Sequence, residues 1–121
     1  MEIWKEIDKL NAIVEKDYDH EQPDIPRSKE FGDTFARFMK KMFADCYVKN
    51  TSSYCEGGVV IKNPVGKHIY IRTDDYRWHD WTKRILYRTM AHAEDWTGGG
   101  NNFANIDELK DSVYSLFNRM K

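Results

Sequence analysis

The chain has 121 residues, 40% of them hydrophobic and 14% aromatic, with a formal net charge of −1. This is too apolar for a disordered chain and long enough for one domain to bury its own core without metals or disulfides. No apolar run approaches the roughly 20 residues that cross a bilayer, so no membrane partner is expected. The charge is uneven: residues 1–26 sum to −5, residues 27–92 to +6 and residues 93–121 to −2, so the middle of the chain is the part suited to phosphates or an acidic partner.

The first predicted element is an amphipathic helix over residues 2–16, where Ile3, Ile7, Leu10 and Val14 recur at helical spacing and Trp4 and Ile13 widen the stripe. The opening MEIWKEIDKL interleaves charge with apolar residues, unlike a secretory signal, and a cytoplasmic location is the expectation. Next comes DYDHEQPDIPR, acidic and interrupted by Pro23 and Pro26, which reads as an extended connector. The domain organisation is then one unit over 1–121: an N-terminal helix in 1–18, a linker in 19–27 and an α+β core in 28–121. A helix ahead of a linker can also pack on a second copy, so a homodimer through the N-terminal helix is among the expected partnerships.

Ser28 is placed to cap a second helix whose Phe31, Phe35, Phe38, Met39, Met42 and Phe43 form a heavy apolar face. Composition then turns β-rich at 46–50, 53–62 and 67–73, with Pro64 and Gly66 at turn positions, and predicts a three-stranded antiparallel meander. A hairpin turning at Asn50 and Thr51 would set Cys46 opposite Cys55, although two packed free thiols are the expectation in a reducing compartment. Within the meander, Val60, Ile69 and Ile71 are expected on one face and Val59, Ile61, His68 and Tyr70 on the other, subject to a register shift at the NPVG loop.

The segment 78–96 has Trp78, Trp81, Ile85, Thr89, His92 and Trp96 at intervals that fall on one face of a helix, with Gly98, Gly99 and Gly100 as its C-terminal cap. Asn105 with Glu108 three residues on forms a capping-box pattern for a last helix carrying Leu109, Val113, Leu116, Phe117 and Met120. The expected fold is α+β, a three-stranded antiparallel sheet packed with about four helices in the order ααβββαα.

Charged groups seldom occupy an apolar stripe without a partner, so Arg88 and His92, flanked by Arg84 and Asp95, form the leading candidate site. A carboxylate there can orient the imidazole or hold the guanidinium and leave donors free for an anion. The alternative is internal: Arg88 pairs with Asp95 while His92 bonds a backbone carbonyl. A second surface comes from Tyr47, Tyr54, Tyr70, His68, Arg72 and Lys67, a mixture of π faces and positive charge that can stack bases and contact phosphates. Tyr70 and Arg72 therefore join the candidate binding residues.

Several chemistries lack support. GGGNN has no lysine after it and does not follow a predicted strand, which is unlike a nucleotide-binding loop. His79 and Asp80 look like half of a metal-binding motif, but the four histidines lack the mutual spacing of ligands on one turn, so neither a metal nor a cofactor is expected. No serine occupies a nucleophile elbow and neither cysteine has a base beside it in sequence, so binding is expected rather than catalysis.

Two resemblances add context. The α, β, β, β, α order over about residues 28–97 resembles the double-stranded-RNA-binding fold, but His79, Asp80 and Trp81 stand where that family has its basic GxGxSKKxAK entry to a helix. Residues 88–102, RTMAHAEDWTGGGNN, resemble a pattern in small uncharacterised proteins of bacteriophages and prophages: Arg-Thr, then His, then Asp with an aromatic, then Thr-Gly-Gly and Asn. That likeness implies a phage accessory protein working in the host cytoplasm by binding, with interference in a host defence pathway as the implied role. The partner would be a host protein whose surface is occluded, or a nucleotide-like small ligand held around Arg84, Arg88, His92 and Asp95. The alternative partner is a nucleic acid on the basic region 27–92.

Overall fold

A computed structural model describes residues 1–16, 25–96 and 98–120, with the side chains of residues 16 and 25 outside the description. The elements run α1 (Ile3–Lys16), α2 (Ile25–Met42), β1 (Tyr47–Asn50), β2 (Gly58–Lys62), β3 (His68–Arg72), β4 (Ile85–Met90), β5 (Asn102–Ala104) and α3 (Ile106–Arg119). All neighbouring strands pair antiparallel in the order β1-β2-β3-β4-β5. The α+β class stands, but with five strands in place of three and three helices in place of four among the described residues. No helix among them is long and apolar enough to cross a membrane.

The heavy aromatic face of α2 supplies the centre of the core. Phe31, Phe35, Phe38, Met39, Met42 and Phe43 are all buried, and α2 lies on β1 and β2 while α3 lies on β4 and β5. From the sheet, Val59, Ile61, Ile69, Ile71, Ile85 and Tyr87 meet these helices. Helix α1 joins the same core by packing on α2 with Ile7, Leu10 and Ile13 buried, and the indole Nε1 of Trp81 donates to Asn11 Oδ1 at 3.2 Å. Ile7, Leu10 and Ile13 are thus covered by the chain's own α2, whereas Trp4 of the same stripe stays 43% exposed. Of the acidic connector expected over 19–27, residues 19–24 lie outside the described residues, and residues 25–27 are not linker but the first turn of α2.

Helix α2 begins before Ser28, with Pro26 in its first turn, where a missing backbone N–H costs nothing. Ser28 is consequently not its cap; its buried hydroxyl accepts from the Cys55 amide at 3.1 Å. The expected hairpin at Asn50 and Thr51 is also replaced. Tyr47 faces Lys62 and Asn50 faces Val59, so a seven-residue connector joins β1 to β2. Cys46 then precedes one end of this pair and Cys55 lies beyond the other, and both are free and buried.

The turn at Pro64 and Gly66 forms as expected, with Gly66 at φ +88° and its amide on the Asn63 carbonyl. Its loop spans five residues, because Lys62 faces His68. One residue of register exchanges the faces of a strand. Val59, Ile61, Ile69 and Ile71 thus share the helix-covered side, whereas Val60, His68 and Tyr70 share the other, a correction to the expected grouping.

The largest departure is at 78–96. No helix forms there: residues 78–84 make turns, 85–90 are strand β4, and the following residues form the β4–β5 loop. Asp80 stabilises the turn by accepting from the amide and hydroxyl of Thr82 at 2.9 and 2.7 Å. Helical and strand periodicities coincide over part of this segment, but ILYRTM is rich in β-branched and aromatic residues and gains a hydrogen-bonded neighbour on each side. Ile85 and Tyr87 point to the core, and Leu86, Arg88 and Met90 point away. Because a strand follows β3, the likeness to the double-stranded-RNA-binding topology fails at the point where that fold needs its second helix. The predicted cap of the last helix is present, with Asn105 Oδ1 accepting from the Glu108 amide at 3.0 Å. Leu109, Val113 and Phe117 are buried beneath it.

Candidate functional site

All three described helices contact one face of the sheet or each other, and the opposite face carries most of the candidate residues. Strand pairing arranges that face in rows: Tyr47, Lys62, His68 and Met90; then Lys49, Val60, Tyr70 and Arg88; then Gly58, Arg72, Leu86 and Phe103. Arg84 continues the outward alternation just before β4, and its guanidinium lies 4.0 Å from the centroid of the Phe103 ring. Five cations and three exposed or half-buried aromatic rings thus occupy one surface. Tyr47 is 69% exposed and Phe103 44%.

Of the six residues singled out from sequence, Tyr70, Arg72, Arg84 and Arg88 meet on this face. They do so because β3 and β4 are adjacent strands, not because a helix aligns them. The other two, His92 and Asp95, sit in the β4–β5 loop, which folds back over the sheet. Asp95 Oδ2 accepts from the Ala91 amide at 2.9 Å, and exposed His92 accepts at Nδ1 from the Glu94 amide at 3.2 Å. These two residues shape the loop.

Arg88 anchors the loop to the sheet. Its guanidinium donates to the carbonyls of Trp96 at 2.8 Å and Gly98 at 3.3 Å, and lies 5.3 Å from the centroid of the Tyr70 ring. Trp96 meets Tyr70 edge to face at 5.5 Å. Buried Arg88 Nε has no hydrogen-bond partner. Gly99 lets the loop return, with φ +77° and a position where any Cβ would stand 2.4 Å from the Thr89 carbonyl oxygen. GGGNN is therefore a strand-to-strand reversal and not a helix cap.

Where the loop arches over β1, β2 and β3 it leaves an open cleft of about 590 Å³, lined by Asp45, Tyr47, Lys49, Val60, Lys62, Asn63, Pro64, His68 and Ala93. Val60 forms part of its apolar lining, at 2% exposure. Lys49 reaches across to Glu94 of the loop at 3.2 Å, with both side chains substantially exposed. Burial, followed by the charges of Lys62 and His92, holds the His68 imidazole below its ordinary pKa and so favours its neutral form, and its buried Nδ1 has no hydrogen-bond partner. Asp45 is held below the usual carboxylate range mainly by the hydrogen bond from the Tyr114 hydroxyl.

Tyr54 and Lys67, also expected on an aromatic and basic surface, lie elsewhere. Tyr54 belongs to the β1–β2 connector beside Ser28 and Gly32 of α2, and Lys67 borders a groove with Leu116 and Met120 of α3. Lys49, Lys62, Phe103 and Glu94 were missed from sequence. The alternation of Arg84, Leu86, Arg88 and Met90 was the signal that could have found the face. His79 packs edge to face on Trp81 at 4.4 Å, and no cluster of three metal-ligating residues occurs among the described residues. No family model, curated protein or solved structure matches the chain.

Proposed function

We propose that the protein is a small phage-type accessory protein that acts by binding, and that the open face of its sheet sequesters a nucleotide-like ligand. The observation that carries this reading is the convergence of Lys49, Lys62, Arg72, Arg84 and Arg88 with Tyr47, Tyr70 and Phe103 on a face that no described helix covers. Guanidinium and ammonium groups take phosphate oxygens, and exposed rings offer flat apolar surface to a base. The likeness of residues 88–102 to phage proteins supplies the context, in which removal of a host signalling or substrate nucleotide would blunt a defence response.

Thermal denaturation at low salt tests the reading. Nucleoside mono- and diphosphates are expected to raise the melting temperature by roughly 5 °C or more near a hundred times Kd. No shift with any nucleotide or oligonucleotide would contradict it.

A single-stranded nucleic acid is the second reading, favoured by the breadth of the surface. Tyr47 on β1 and Phe103 on β5 stand four strand spacings apart, about 19 Å across the sheet and further along the strands, which exceeds the span of one base. Affinity that climbs with oligonucleotide length and falls steeply with salt would select this reading over the first.

A further inference from the structure

We infer that the cleft between β1, β2, β3 and the β4–β5 loop is a pocket for one nucleoside phosphate, and that Glu94 occupies the place on Lys49 that the ligand's phosphate takes. This rests on the proposal that the open face binds nucleotides, and adds where the ligand sits and what it displaces.

The volume of about 590 Å³ lies within the range of small-ligand pockets. Val60, Pro64 and Ala93 give the cleft an apolar lining, and the exposed ring of Tyr47 stands at its border, which suits a base. Two ammonium groups serve the phosphate. Lys62 pairs with no carboxylate among the described residues, while Lys49 is held by Glu94 in an exposed pair of the kind that contributes little and is readily exchanged. A phosphate bridging Lys49 and Lys62 would bring more negative charge than a single carboxylate and meet both cations at once.

The remaining polar groups set the ligand's direction. His68 lines the cleft, so a hydroxyl or base edge of the ligand meets the imidazole there. Asp45, kept ionised by Tyr114, repels a phosphate from its end of the cleft and accepts from ligand N–H or O–H groups instead. Phosphate toward Lys49 and the base or ribose toward Asp45, with Lys62 and its cross-strand neighbour His68 between them, is the orientation these charges favour. Ala93 and Glu94 belong to the loop that Arg88 clamps at Trp96 and Gly98, so ligand entry exchanges the Lys49–Glu94 contact without releasing the clamp.

Calorimetric titration of the full chain at 50 mM salt with adenosine 5′-monophosphate, adenosine and inorganic phosphate tests this. The monophosphate is expected to bind at least tenfold tighter than either fragment. Tyr47→Ala and Lys62→Gln should weaken it at least fivefold, Glu94→Gln should tighten it about threefold, and Lys110→Gln on the outer side of α3 should leave it unchanged. Because Tyr47, Lys62 and Glu94 are exposed, these variants keep the core intact. Equal binding of phosphate and monophosphate would overturn the inference, as would a Glu94→Gln change that weakens binding. If nucleotides or oligonucleotides bind but respond only to Arg72→Gln and Arg84→Gln, the cleft assignment falls while the open-face reading stands. If none of these probes binds, both fall.

Discussion

At the level of single residues, most polar side chains near the core have identifiable partners, and their protonation links stability to pH. Glu6 is nearly buried between α1 and α2, and the Lys41 ammonium at 2.7 Å, assisted by Lys9, lowers its pKa below the ordinary glutamate value. A carboxylate whose folded pKa is depressed adds stability that is present above its unfolded pKa and lost as pH falls through the folded one. Glu6→Gln should therefore cost about 1 kcal/mol at pH 7 and nearly nothing at a pH below both values, read by urea denaturation at each pH. An equal loss at both pH values would show that packing, not charge, is what the substitution removes. Cys46 behaves differently. Burial, with Asp45 beside it, pushes its thiol up to about 11, so it should resist Ellman's reagent at pH 8 until the protein is unfolded. Gly99 has its own constraint: Gly99→Ala meets both an unfavourable φ and the Thr89 carbonyl, and should cost about 1–3 kcal/mol in the same denaturation measurement.

At the level of elements, the readable parts were those where local signals and tertiary packing agree. α3 is an example. Its Asn105 cap and its Leu109, Val113 and Phe117 stripe stand as the sequence indicates, and Asn105→Ala should lower stability by about 1 kcal/mol because the Glu108 amide loses its acceptor. In α2, Phe35 is fully enclosed and Gly57 approaches its ring so closely that a Cβ there would lie 2.7 Å away. Phe35→Ala should cost about 3–5 kcal/mol, the range for emptying a fully packed aromatic site. β4 was illegible for a definite reason. Trp81, Ile85, Thr89 and His92 happen to fall at helical intervals, and nothing in the local sequence announces that β3 and a three-residue β5 will flank the segment and complete its hydrogen bonds. The site followed the same pattern. Arg84 and Arg88 were singled out as unusual in the sequence, and Tyr70 and Arg72 as an aromatic and basic pair, but that these share one surface depends on the pairing of Tyr70 with Arg88. Lys49 and Lys62 gave no signal because a lysine on a strand ordinarily marks only a solvated side.

At the level of the whole molecule, the division of the sheet into two faces gathers part of the chain's central positive charge on one surface. Apolar side chains of β2, β3 and β4 commit one side to the helices, and the positive excess of residues 27–92 is drawn in part to the other, under a loop fixed by Arg88. The direct measurement is a comparison of two triple variants with the same change in charge, using the affinity of a fluorescent nucleotide at low salt. Lys49→Gln, Lys62→Gln and Arg72→Gln together remove charge from the open face; Lys29→Gln, Arg37→Gln and Lys110→Gln together remove it from the helices. The first set is expected to weaken binding at least tenfold and the second by less than twofold. Equal losses from both sets, or a larger loss from the helix set, would contradict the assignment of binding to the open face.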